Sequence, residues 1–201
     1  MRHSWEHVKR EIVKYARLAF ERRLVAGSGG NVSVRTGDGN MLITASGISL
    51  AETAPENLIT VSLDTLEWRA GKGLLPSREY VYHAQILRLR EDINCVMHVH
   101  PPYATTFAAL HRDIPAEGSA GFRLPEIQRV PLQAGGLAKL QEEIITYVRS
   151  YPAAEAFLVE GHGLTTLGAS PREAFELADM IEAAAQVAYQ AELLGRNPRV
   201  Q

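Results

Sequence analysis

The chain contains a single cysteine, Cys95, so no intrachain disulfide framework can form. A lone thiol fits a reducing compartment, and the chain is read as cytoplasmic. No run of about 18 apolar residues exists to span a bilayer, and Met1-Arg2-His3-Ser4-Trp5-Glu6 holds no apolar stretch of the secretory kind. Neither export nor membrane insertion is expected. Charge of one sign is missing as well: 21 Lys and Arg against 23 Asp and Glu give a net charge of −2. No basic face calls for nucleic acid, and no acidic tail calls for a basic partner. Repeats, low-complexity tracts and Ser/Pro linkers are absent too. What remains is 201 residues, 46% hydrophobic and 22% charged, enough to bury the core of one domain over 1–201 without staples.

Hydrophobic periodicity divides this domain into alternating elements. Trp5, Val8, Ile12, Tyr15, Ala16, Ala19 and Phe20 recur at helical spacing, which predicts an amphipathic helix over 4–24 with Gly27 beyond its end. Asn31–Arg35 and Met41–Thr44 flank the turn Thr36-Gly-Asp-Gly-Asn40 and read as a hairpin, with a further strand at Ile59–Leu63. Pro76-Ser77 opens a helix with Glu79 in its first turn that runs to about Arg90. The buried strand Asn94–His100 follows, broken by Pro101-Pro102, and Tyr103–Leu110 winds a short helix. Another helix is expected near 136–150. Ala156–Glu160 and Leu164–Leu167 flank the turn Gly161-His162-Gly163, and Pro171 starts a long helix that reaches Leu194 before Gly195. The class is α/β or α+β, a central sheet with helices packed on it.

Within this frame the histidines are not evenly placed. Residues two apart in a strand face the same side, so His98 and His100 present two imidazoles at a spacing that one ion can bridge. An HxH pair alone is more often a surface or hydrogen-bonded pair. His162 lies between two glycines, where the missing side chains let an imidazole approach another element, although Gly-His-Gly is also an ordinary hairpin turn. Three neutral imidazoles would leave an ion its charge and an open position, as in catalytic rather than structural sites. Zinc fits this donor set best, with manganese or cobalt as alternatives.

Glu79 stands where a carboxylate is also favoured as a helix cap, so a capping role competes with a role as ligand or base. His83 shares its helical face and reads either as a partner of Glu79 or of a ligand imidazole, or as an exposed residue. His3, His7 and His111 fall on polar stretches and are read as solvated. Gly27-Ser-Gly-Gly-Asn-Val-Ser33 and Ser46-Gly47 are small-residue loops whose amides and side chains could grip an anion or could be plain turns. Neither is the phosphate loop of nucleotide-binding proteins.

In chain order these pieces are a first helix, Gly-Asn-Val-Ser-Val-Arg, Leu-Ile-Thr-Ala-Ser-Gly, Pro-Ser-x-Glu, His-x-His-Pro-Pro and Gly-His-Gly. In that order the sequence resembles the class II aldolase and adducin superfamily, fuculose-phosphate aldolases among them, from about residue 5 to 195. The resemblance implies a three-layer α/β fold with a central, largely antiparallel sheet, and a homotetramer with active sites at subunit interfaces. It further implies a metal held by His98, His100 and His162, with Glu79 as a ligand that leaves the metal to move a proton. Gly30, Asn31, Ser46, Gly47 and Ser77 then fall where such aldolases hold a substrate phosphate. The implied chemistry is reversible retro-aldol cleavage of a small ketose phosphate or related hydroxy-keto acid, the ion stabilising an enediolate.

The sequence departs from that pattern in two places. Arg78 replaces a second small residue after Pro-Ser, and reads as a bidentate anion contact or as half of a surface ion pair. Glu117-Gly-Ser-Ala-Gly-Phe122 has no tyrosine where fuculose-phosphate aldolases supply a proton donor, Ser119 being the nearest match. Pro131-Leu-Gln133 and Ala134-Gly-Gly136 replace a Pro-Tyr and a Gly-Thr pair, and no tyrosine-bearing tail follows before Gln201. These differences keep a 3-keto acid decarboxylase, a sugar-phosphate 4-epimerase and a non-catalytic, adducin-like scaffold beside the aldolase reading.

Overall fold

The computed structural model describes residues 4–115, 124–131 and 136–195. Among them are five α-helices: α1 (Trp5–Glu21), α2 (Tyr80–Leu89), α3 (Pro102–Ala109), α4 (Gly136–Ser150) and α5 (Pro171–Leu193). The eight strands are β1 (Asn31–Arg35), β2 (Asn40–Thr44), β3 (Leu58–Ser62), β4 (Trp68–Arg69), β5 (Cys95–Val99), β6 (Gln128–Val130), β7 (Ala156–Val159) and β8 (Gly163–Gly168). They form one sheet in the order β4-β3-β2-β1-β5-β8-β7-β6. All neighbours are antiparallel except β6 and β7, which pair in parallel.

Side-chain alternation along the strands makes three layers. Val32, Val34, Cys95, Met97, Val99 and Leu164 bury against α1, α3 and α5. Met41, Ile43, Val96, Phe157, Val159 and Leu167 face α2 and α4. Because helices cover both faces, β5 is buried at every residue and reads in the sequence as a continuous apolar run rather than an alternation. The expected α/β architecture with a largely antiparallel sheet is therefore present.

Several boundaries differ from expectation, each for a local reason. α1 stops at Glu21 rather than at 24, because Arg23 takes φ 60° and Leu24 N–H turns back to Ala19 O, burying Leu24 completely. The helix expected from Pro76 starts only at Tyr80, since Pro76 is held extended in an antiparallel bridge with Ala45. The exposed edge strand β4 and the three-residue β6 are additional; both are too short to leave a periodic signal. No helix among the described residues is long and apolar enough to cross a membrane.

Candidate metal centre and its cleft

The alternation that builds the cores also sorts the polar residues. His98 shares its side of β5 with Val96, so it faces α2 and is buried, 1% exposed. β1 turns Asn31 and Ser33 to that side, and β8 turns Thr165 there. α2 lies across this polar row, with Glu79 just before its first residue and His83 one turn on. Glu79 is thus the N-cap position of α2 rather than part of its first turn, and its side chain makes no capping hydrogen bond.

That carboxylate turns into the sheet instead. Glu79 Oε1 lies 3.1 Å from His162 Nε2 and Oε2 lies 3.7 Å from His98 Nε2. Asn31 Nδ2 donates to Oε2 at 2.7 Å. His98 and His100 bring their Nε2 atoms to 2.9 Å, although His100 stands just past the end of β5 rather than within it. Ligand atoms of His98, His100 and His162 all lie within 4.8 Å of one another, a group that could hold a metal ion. The tight approach of β8 depends on Gly163: a Cβ there would stand 2.5 Å from Val99 O and 2.6 Å from His100 Cδ2.

Charge states suit such an ion. Burial pushes His98 down to about 3, helped by His100, His162 and His83 and opposed by Glu79. Burial and His162 lower His100 as well. Burial opposes ionisation of Glu79, but His98, the His162 hydrogen bond, the Asn31 amide and His83 outweigh it and hold the carboxyl well below its usual range. Thr165 Oγ1 engages His98 Nδ1 at 3.0 Å, which directs Nε2 toward the other rings. Three imidazole nitrogens and a carboxylate oxygen then converge at short range. A divalent cation is the group that satisfies such a donor set, so the residues fit one.

The His83 side chain is neither exposed nor bonded to the Glu79 carboxylate or a ligand ring. It is buried and shares a 2.8 Å hydrogen bond with Ser33 Oγ, burial lowering it to about 4 against the pull of Glu79. Its other nitrogen, Nε2, has no partner among the described residues. His111 is exposed, as expected, and pairs with Glu160 at 3.0 Å, whereas His7 is half-buried. His3 lies outside the described residues, as do Glu117–Phe122 with Ser119, and Leu132–Gly135.

A cleft of about 550 Å³ opens over the cluster. Gly30, Asn31, Ser46, Gly47, Ser77, Arg78, Glu79, His100 and His162 line it, while His98 lies beneath. The Ala45–Pro76 bridge explains the meeting of two distant loops, since it brings Ser46-Gly47 against Ser77-Arg78. Gly30 tucks the first loop onto β5: it takes φ 77°, and a Cβ there would stand 2.6 Å from Val25 Cγ1 and 2.9 Å from His98 O. Arg78 is exposed and makes no hydrogen bond or ion pair with another described residue. Thr165, Ser33 and the apolar wall of Leu137 and Leu140 were not singled out from sequence. Thr165 had left a signal, a polar residue inside the buried run Leu164–Leu167.

Comparison with known proteins accords with this geometry. A 5-deoxy-D-ribulose 1-phosphate aldolase of Bacillus thuringiensis serovar kurstaki is 33% identical over 189 residues, 93% of this chain and 86% of that one. A 3-oxo-tetronate 4-phosphate decarboxylase of Pectobacterium atrosepticum is 29% identical over 192 residues, 92% and 85% of the two chains. A solved L-fuculose 1-phosphate aldolase superposes with TM-score 0.80 at 26% identity, covering 100% of this chain and 92% of that one. The model of the class II aldolase and adducin N-terminal domain matches residues 10–189, and the chain belongs to that family.

Proposed function

We propose that this chain is a zinc-dependent aldehyde-lyase that cleaves a small ketose phosphate by a reversible retro-aldol reaction. The observation that carries the reading is the convergence of three imidazoles and a buried carboxylate beneath a cleft walled by two small-residue loops. His98, His100 and His162 would hold the ion; zinc suits these ligands best, and manganese or cobalt would also accept them. When bound, it supplies Lewis-acid stabilisation of the negative charge left as the carbon–carbon bond breaks.

The remaining work falls to the chain. Amides and hydroxyls of Gly30, Asn31, Ser46, Gly47 and Ser77 offer donors to a phosphate, with Arg78 at the rim as the counter-charge. In cleavage, the hydroxyl on the carbon that becomes the aldehyde loses its proton, and the carbon that loses its bond gains one. Water takes the first proton, and a proton from solvent reaches the carbon through Glu79, which takes it back in the condensation direction. Asn31 fixes one carboxylate oxygen, and the other faces His162.

With zinc and 5-deoxy-D-ribulose 1-phosphate, the purified protein is expected to release dihydroxyacetone phosphate and acetaldehyde. Screening related ketose phosphates extends the test. If no ketose phosphate and no 3-keto acid phosphate turns over, the lyase reading falls. The decarboxylase relative and Arg78, which makes no ion pair with another described residue, favour one second reading, decarboxylation of a 3-keto acid phosphate, which needs no proton donor for a departing aldehyde. Product analysis, carbon dioxide against aldehyde, separates the two.

Arg78→Ala is expected to raise KM about tenfold with little change in kcat, the size of one charge-assisted hydrogen bond to phosphate. An unchanged KM would make Arg78 a bystander at the rim.

A further inference from the structure

His100 stands in a weakly determined place. It lies beyond the last ladder residue of β5, and Pro101 and Pro102 after it have no N–H to anchor the turn. Its own N–H donates to Leu24 O at 2.9 Å. The residue at the N-cap of α3 is Pro101, which offers no capping side chain, so the first free amides of that helix need an acceptor from elsewhere.

That acceptor comes from α5, nearly eighty positions along the chain. Tyr103 N–H donates to Glu182 Oε1 at 3.0 Å and Ala104 N–H to Oε2 at 2.9 Å, so both carboxylate oxygens are engaged at the positive end of α3. One turn earlier on α5, Asp179 Oδ1 accepts from Arg22 Nε at 2.8 Å, two residues before Leu24. The segments on both sides of His100 are thus tied to one face of α5. Burial raises the Glu182 carboxyl above its ordinary value, against the pull of the two amides, so the group sits there at a cost that a local Ser or Asp cap would have avoided.

We infer that Glu182 is a positioning residue for the metal centre: by clamping the first turn of α3 it fixes the His100 imidazole where it shares an ion with His98 and His162. This inference rests on the metal reading above. Because Glu182 touches neither imidazole nor cleft, its effect travels through the backbone of Pro101–Ala104.

The test compares wild type, Glu182→Ala, Glu182→Gln and Ser170→Ala, each freed of metal. Ser170→Ala is the control, since it removes the N-cap of α5, where Ser170 Oγ accepts from Glu173 N–H at 3.2 Å, away from His100. Zinc affinity is read by competition with a chromophoric chelator, and the imidazole resonances by NMR of the metal-free proteins. Glu182→Ala should weaken zinc binding about tenfold or more, the scale seen when a ligand loses its supporting partner. Glu182→Gln keeps one acceptor oxygen and should fall between that variant and wild type. Ser170→Ala should lower Tm and leave zinc affinity and the His100 resonances unchanged. Wild-type affinity in either Glu182 variant overturns the inference, and Glu182→Gln decides alone if Glu182→Ala does not fold. Should wild type bind no zinc while the His100 resonances still shift in Glu182→Gln, the positioning stands and the metal reading fails.

Discussion

Glu79→Gln is expected to lower kcat roughly 100- to 10,000-fold, the usual contribution of a positioned acid–base group, while the protein stays folded and keeps its metal. Glutamine preserves the shape of the side chain and an oxygen for the Asn31 amide, now 2.7 Å away. What it removes is the ability to take and return a proton. The carboxylate lies within 3.7 Å of both His98 and His162, so the substitution touches the site and little else. Steady-state kinetics and metal analysis on the same preparation separate the roles. Loss of turnover with metal retained marks Glu79 as the proton carrier; loss of both marks it chiefly as a ligand. A variant that keeps kcat within about threefold removes Glu79 from the chemistry. A non-catalytic scaffold would show no turnover in either protein to compare.

The part of this site legible in the sequence was the part set by short-range rules. His98 and His100 were paired by strand periodicity, and His162 was marked by flanking glycines that the structure uses for close approach at Gly163. A central sheet with helices packed on it followed from the long apolar periods of α1 and α5 and the buried run of β5, while the three-layer, largely antiparallel arrangement was what the family resemblance implied. Long-range devices left weaker signals. Nothing local shows that Pro76 will bridge Ala45, yet that bridge brings the two small-residue loops to one cleft. Glu182 looks like any charged residue of an Ala/Glu-rich helix, because its partners are backbone amides almost eighty residues away. His83 read equally as surface or as part of the site; its buried ring is hydrogen-bonded to Ser33, a residue of a different element. Arg78 was legible as a departure, and it stands exposed at the rim of the cleft with no ion pair to another described residue.

Gly163→Ala should damage both the fold and the metal centre. Its Cβ would stand 2.5 Å from Val99 O, 2.6 Å from His100 Cδ2 and 3.3 Å from His98 Cε1. Carbon atoms rest at about 3.5 Å, so the His100 ring or the start of β8 must retreat by about 0.9 Å. β8 cannot yield freely, because it is laddered to β5 on one side and to β7 on the other. Overpacking of this kind costs about 1–3 kcal/mol, which lowers Tm by roughly 3–10 °C in a chain of this size. The functional loss should be larger than the structural one, since metal ligands tolerate displacements of only about 0.5 Å. Zinc affinity is therefore expected to fall more than tenfold, with activity falling alongside it. Gly73→Ala supplies the comparison: Gly73 takes φ 80° with nothing within 4 Å of a Cβ, so alanine there adds backbone strain without any clash. That variant should lose some Tm and no zinc affinity. If Gly163→Ala binds zinc as tightly as Gly73→Ala does, the close approach of β8 to His100 is not what holds the three imidazoles together.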